Sequence, residues 1–296
     1  MMGERFEALR GKAKGLGSLG LIRAMFQMLI GPSYSGSLFF RIADAISRSS
    51  IPECLIQLCP VATNQAWPMR AAVMNMLAKQ VLDKQFTALE IGTWFGEGST
   101  QIWGKFLKPG SRLILCDPWT KYASEQDVKK SPTYSLMDKL HHIAINSALK
   151  KVYELEETSG GEVIVVRGKS AHVMAQLKPE SFDFIYIDGS HYYRDVSKDI
   201  ELAKVLVRDG GCICGDDLEV DPTAELKAIA RGHMEQDFVS VRVADGREVS
   251  FHPGVALAVG QQFEAVNREH GFWWVWRHNN SWVRQPPLIR EHQSTA

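Results

Sequence analysis

The chain has 296 residues, 45% hydrophobic and 23% charged, enough to bury a substantial core. Its 34 basic and 34 acidic side chains cancel. That balance argues against a nucleic-acid binder, which needs a basic excess, and offers an anionic membrane no global attraction. Five cysteines, without paired CxxC spacing, make neither a disulfide framework nor a thiolate metal site, and suit a reducing, cytoplasmic setting.

Residues 1–80 read as a helical N-terminal extension, a cap or an oligomer contact. Residues 39–46 and 67–82 carry helical spacing, and Pro68 suits a first helical turn. Residues 16–30 are apolar but hold Arg23 and Gln27, and fall short of the ~20 residues a membrane span needs. They are expected to pack on the body or on a second subunit, so a homo-oligomer is anticipated; attachment to a membrane surface is the alternative.

Residues 81–285 read as one domain. Continuous apolar runs at 87–92, 112–117, 162–168, 182–188 and 211–216 have the character of strands covered on both faces. Helical spacing at 99–106, 134–150, 171–177 and 196–207 separates them. Strand alternating with helix predicts an α/β fold with a doubly wound, parallel sheet. Beyond it, 222–232 reads as a helix, 239–243 and 247–251 as a hairpin, 253–266 as a helix with Pro253 in its first turn, and 272–277 with 281–284 as two strands about a turn. Trp273, Trp274, Trp276 and Trp282 form either core packing or a sugar-stacking platform or dimer surface. Residues 286–296 read as a loose tail.

The segment Glu90-Ile91-Gly92-Thr93-Trp94-Phe95-Gly96-Glu97-Gly98-Ser99 links the first strand to a helix. It is neither a dinucleotide fingerprint nor a P-loop. It lets the backbone turn sharply and approach a ligand, or it is a plain strand-to-helix turn. Asp117 ends the second strand, where a carboxylate can accept hydrogen bonds from ribose hydroxyls. Read alone, it is equally a capping or surface acid. Trp119 follows and can pack on a ligand.

Asp188 ends the fourth strand, and Asp216 and Asp217 end the fifth. Neighbouring strands lie ~4.8 Å apart, so the three carboxylates converge where doubly wound sheets bind ligands. Unrelieved, they repel one another. Mg²⁺ or another hard divalent cation would relieve that and could lower the pKa of a substrate hydroxyl. Alternatively, Asp216 and Asp217 cap a helix or bind loop amides. His191, three residues after Asp188, is placed to take a proton or to orient a loop. The assigned catalytic pair is His191 and Asp188.

Together, Glu-Ile-Gly-x-x-x-Gly-x-Gly-Ser at 90–99, Asp-Pro-Trp at 117–119, Phe-Asp-Phe-Ile-Tyr-Ile-Asp-Gly-Ser-His at 182–191 and Gly-Gly-x-Ile-x-Gly-Asp-Asp at 210–217 resemble class I methyltransferases. More narrowly, they resemble the macrocin-type sugar O-methyltransferase group. The resemblance spans about residues 86–217. It implies a Rossmann-like sheet with a final antiparallel strand and S-adenosylmethionine at the ends of the first strands. By that likeness Glu90, Gly92, Thr93 and Trp94 line the methionine end, with Gly96 and Ser99 completing the turn. Asp117 holds the ribose, and Gly168, Lys169 and Ser170 lie beside the adenine. The expected activity is O-methylation of a sugar or glycosylated small molecule, with Mg²⁺ assistance. Two alternatives stand: a metal-independent enzyme using His191 as base, and a non-catalytic adenosyl-ligand or carbohydrate-binding protein that keeps the fold.

Overall fold

The computed structural model describes residue 64 and residues 66–286, apart from 122 and 131. The expected helix at 39–46, most of the N-terminal extension and residues 287–296 lie outside the described residues. In chain order the elements are α1 (Pro68–Val81), β1 (Thr87–Ile91), α2 (Ser99–Gly104), β2 (Arg112–Asp117), α3 (Glu125–Lys130), α4 (Pro132–Ser159), β3 (Glu162–Arg167), α5 (Ser170–Met174) and β4 (Phe182–Ile187). Then follow α6 (Tyr193–Leu206), β5 (Val207–Gly215), α7 (Ala224–Arg231), β6 (Val239–Arg242), β7 (Glu248–Phe251), α8 (Pro253–Gln262), β8 (Asn267–Glu269), β9 (Phe272–His278) and β10 (Ser281–Val283).

The chain forms two compact units. One holds, among the described residues, the segments Trp94–Gly98 and Trp119–Ala148; the other holds Met69–Thr93, Ser99–Pro118 and everything from Leu149 onward. The second carries the main sheet, in the order β10-β9-β5-β4-β1-β2-β3, with β8 on β9. Strands β1 to β5 are parallel, and β9 runs antiparallel to β5. This is the predicted Rossmann-like arrangement. Order reverses about β1, so its C-terminal end and those of its neighbours face the crevice where such sheets take ligands.

The strands are buried on both faces, as their unbroken apolar runs require. On one face α6 sets Val196, Ile200, Ala203 and Leu206 against Ile185 and Ile213, and α8 adds Val255, Leu257 and Val259. Burying each such side chain stabilises by roughly 1.5–3 kcal/mol. Ile200, at full burial, is the position where truncation to Ala would cost about 2–5 kcal/mol. Thr223 caps α7 by accepting from the Leu226 amide at 3.2 Å. Helix α8 stops at Gln262, not 266, because Phe263 turns extended and packs beside Trp273 and Trp282. Trp273 and Trp276 are buried, which is core packing. Helix α4 runs nine residues past the expected end at 150, and α3 and β8 had no counterpart among the expectations.

Candidate active site

The first part of the site is the turn after β1. Gly92 has φ +89, and a Cβ there would overlap the carbonyl oxygen of Asp188, so only glycine fits. Its amide donates to the Cys116 carbonyl at 2.9 Å, and the Asp188 amide donates to Ile91 at 2.8 Å. These bonds tie the ends of β1, β2 and β4 together. The Thr93 amide donates to Asp117 Oδ2 at 3.0 Å, fixing that carboxylate at the tip of β2.

Glu90 is fully buried. Its Oε1 accepts from Thr100 at 2.6 Å and from Ser99 at 3.2 Å. Burial pushes its carboxyl up to about 8, so the protonated form prevails at neutral pH. Glu90 Oε2 and Thr93 Oγ1 are buried and find no hydrogen-bond partner among the described residues. Buried polar atoms are normally paired, so these two fit a bound polar ligand. The Gly168 amide donates to the Asp117 carbonyl at 3.2 Å. Lys169 stands at the N-cap of α5 and Ser170 opens it, hydrogen-bonded to the buried Asp199. Eight of the eleven expected cofactor residues therefore lie in this unit, at the ends of β1, β2 and β3. These eight are Glu90, Gly92, Thr93, Ser99, Asp117, Gly168, Lys169 and Ser170.

Trp94, Gly96 and Trp119 belong to the other unit. Trp94 and Trp119 hold φ +51 and +44, unusual for bulky residues, and Gly96 holds +67. The Trp119 indole donates to the Trp94 carbonyl at 2.8 Å. The Trp119 ring is itself buried.

The second part lies at the ends of β4 and β5. Asp188 Oδ2 accepts from the Tyr186 hydroxyl at 2.8 Å. Asp216 Oδ1 accepts from the Asp217 amide at 2.9 Å, and its Oδ2 meets Arg70 Nη1 at 2.5 Å. Arg70 comes from α1, places Nη2 3.8 Å from Asp217 Oδ1 and donates through Nε to the His270 carbonyl. A guanidinium thus supplies part of the charge that balances Asp216 and Asp217. Burial works against Arg70, yet Asp216 and Asp217 outweigh it and raise its pKa.

His191 lies between two carboxylates. Its Nε2 is 3.1 Å from Asp217 Oδ2, and its Nδ1 is 3.2 Å from Asp237 Oδ1. His252 packs edge-on to His191 at 4.6 Å between ring centroids, with Nδ1 2.8 Å from Glu219 Oε1. Burial would lower His252, but Asp217, Glu219 and Asp237 raise it to about 9, so it is an imidazolium at neutral pH. Burial likewise pushes Asp217 up, but His252, His191 and Arg70 overcome this and hold it below the usual carboxylate range. Asp188 gets less help: burial, then Asp216 and Asp217, push it well above that range. Asp217 sits at φ +62, a strained conformation of the kind found at functional sites.

Asp188, His191 and Asp217 each offer a donor atom within 4.8 Å of the others. Two carboxylates and an imidazole fit a divalent cation. Asp216, the third expected ligand, is turned to Arg70 instead. The expected site residues do not include Arg70, Asp237, His252 or the Tyr186 hydroxyl. No motif marks Arg70 or Asp237, since each reaches the site from a distant segment.

Residues 89–218 match a family model described as a methyltransferase domain. No curated protein matches the sequence. Among solved structures, one from Corynebacterium glutamicum is 12% identical, with 82% of this chain and 97% of that chain covered and a TM-score of 0.45. An O-methyltransferase family protein from Burkholderia thailandensis is 16% identical, covering 87% of this chain and 72% of its own, at 0.44. An O-methyltransferase of tomaymycin synthesis from Streptomyces achromogenes, solved with S-adenosylmethionine, is 15% identical over 78% of this chain and 93% of its own, at 0.35. No helix of the described residues is long and apolar enough to cross a membrane.

Proposed function

We propose that the protein is an S-adenosylmethionine-dependent O-methyltransferase in which His191 accepts the proton of the substrate hydroxyl. The observation that carries this reading is the pairing, on one sheet, of a glycine turn holding buried, unbonded Glu90 Oε2 and Thr93 Oγ1 with an imidazole seated between two carboxylates. Bound at the β1 turn, the cofactor supplies an electrophilic methyl group on a sulfonium. Asp117, already fixed by the Thr93 amide, would accept from ribose hydroxyls. Neutral Glu90 adds no carboxylate charge there. His191 would take the proton of the acceptor hydroxyl as that oxygen receives the methyl group. Asp217 and Asp237 stand on either side of the ring, at Nε2 and Nδ1. The acceptor we propose is a hydroxyl of a sugar or glycosylated small molecule, supported by the motif resemblance alone.

A second reading adds a divalent cation held by Asp188 and Asp217, with His191 as third donor. It is favoured by their convergent donor atoms and by the poorly compensated Asp188. A cation there would help ionise the acceptor hydroxyl. Calorimetry with S-adenosylmethionine, with and without Mg²⁺, followed by product mass spectrometry on a panel of glycosides and phenols, tests both. Binding without Mg²⁺ and chelator-resistant methylation support the first reading; loss of methylation on chelation supports the second. Absence of cofactor binding by folded protein overturns both.

A further inference from the structure

We propose that Arg70 is a built-in counter-ion for the aspartate edge: its guanidinium stands where a divalent cation would contact Asp216, and so weakens capture of such an ion. This goes beyond the choice of base. It rests on the tips of β4 and β5 as read above, and favours the first of the two readings.

Each of the three aspartates is already engaged. Asp216 Oδ1 accepts from the Asp217 amide at 2.9 Å, and Oδ2 lies 2.5 Å from Arg70 Nη1 and 3.4 Å from the Tyr186 hydroxyl. Asp188 Oδ2 accepts from that same hydroxyl at 2.8 Å. Asp217 Oδ2 stands 3.1 Å from His191 Nε2, and Oδ1 stands 3.8 Å from Arg70 Nη2. A hard cation binds through oxygen lone pairs, so it would have to compete with these partners. Both oxygens of Asp216 are committed, which leaves Asp188, His191 and Asp217 as the donors beside the guanidinium. Arg70 carries its charge at every working pH, because a guanidinium keeps its proton in proteins.

The guanidinium is also held from behind. Its Nε donates to the His270 carbonyl at 3.1 Å. Gly271 follows at φ +84, and a Cβ there would stand only 3.0 Å from Nη2. The Gly271 carbonyl in turn accepts the amide of Leu218, the residue after Asp217, at 2.8 Å. The turn between β8 and β9 therefore positions both the guanidinium and the segment that carries the aspartates. Side-chain exposure is 15% for Arg70 and 7% for Asp216, so solvent ions screen the pair little. An ion that settled beside this group would meet its positive charge. Even at the dielectric constant of water, a divalent ion about 6 Å from a unit positive charge loses roughly tenfold in affinity, and a buried site magnifies the effect.

The test is Mn²⁺ binding to the full-length protein, read from the electron paramagnetic resonance signal of the free ion. Arg70→Gln should raise Mn²⁺ affinity at least about tenfold over the wild type. Arg70→Lys keeps the charge and should stay within about threefold of the wild type. Adding Asp216→Asn to Arg70→Gln should remove most of the gain, because the released carboxylate is then lost as a ligand. An arginine that merely supported the fold would, on removal, loosen the site and weaken Mn²⁺ binding. Folded Arg70→Gln that binds Mn²⁺ no tighter than the wild type therefore overturns the proposal, as does an equal gain in Arg70→Lys. Should Arg70→Gln not fold, the wild type decides: saturation below about 100 µM Mn²⁺ overturns the proposal, and weaker binding supports it. Failure to bind S-adenosylmethionine would remove the methyltransferase reading while the Mn²⁺ affinities stood, so the two failures are distinct.

Discussion

The two ends of the crevice are built on opposite principles. At the β1 and β2 tips, polar groups are fixed by the backbone and left with capacity to bond: Asp117 is pinned by one amide, and Glu90 and Thr93 keep buried oxygens unbonded among the described residues. At the β4 and β5 tips, charged groups bond one another: Arg70, Asp216, Asp217, His191, Asp237, His252 and Glu219 form one connected network. The first end suits reception of a ligand. The second suits movement of a proton without movement of side chains, because the charges that must respond are already in place.

The contrast can be broken most sharply at His191. Replacing it with Ala should lower methylation by about 10²–10⁴-fold, the usual contribution of a general base. Cofactor affinity should stay within about twofold, as measured by calorimetry. A matching loss of affinity would show that the two ends are one binding site.

Arg70→Met is the next largest change. It leaves the buried Asp216 without its cation, and breaking a buried pair costs about 3–5 kcal/mol. Urea unfolding should report this loss, and millimolar Mg²⁺ should restore part of it if the freed carboxylates capture a cation. A midpoint unaffected by the substitution would show that Arg70 is not part of the charge balance.

Asp117→Ala should weaken S-adenosylmethionine binding by about 10- to 100-fold, in line with about 1.5–3 kcal/mol for hydrogen bonds to a charged group. The charge network at the His191 end should not change.

The smallest effect is a pH dependence at the β3 side. Burial raises Asp199 to about 7, with Ser170 as its opposing hydrogen-bond donor. The folded protein thus binds this proton more tightly than the unfolded chain does. Its contribution to stability is fullest below about pH 4, declines through the interval up to about 7, and is flat above. Asp199→Asn should remove that decline. Between pH 5 and 6 the wild type should lose about 1.4 kcal/mol that the variant keeps, measured by urea midpoints. Parallel profiles would place the carboxyl at its ordinary pKa.

The same contrast explains what could be read from sequence. The receptive end is local: Glu90 to Ser99 are contiguous, and Asp117 closes the next strand. Apolar runs locate β1 to β5 because strands covered on both faces have no polar alternation to hide them. Asp188, Asp216 and Asp217 were legible for the same reason, each following a strand. The network end is not local. Arg70 meets Asp216 across 146 residues, and Asp237 meets His191 across 46. Neither lies at a strand tip within the parallel run, so no spacing rule points to it. Charge repulsion among the aspartates indicated that a cation was needed, but it could not say that a side chain from α1 supplies one. Helix ends were misjudged where packing overrides propensity, as at Phe263.

Gly92 carries one more consequence. Its missing Cβ lets the backbone of the β1 turn lie directly against the carbonyl of Asp188, and the Asp188 amide is bonded back to Ile91. Main chain touches main chain there, with no flexible group between to absorb a displacement. A shift of a few tenths of an ångström on one side must be passed to the other as a rigid push. Hydrogen exchange at the amides of 188 and 189 should therefore slow when a ligand settles beside Gly92, several residues from any atom it touches. Any larger residue at 92 would jam this joint and disturb both ends at once.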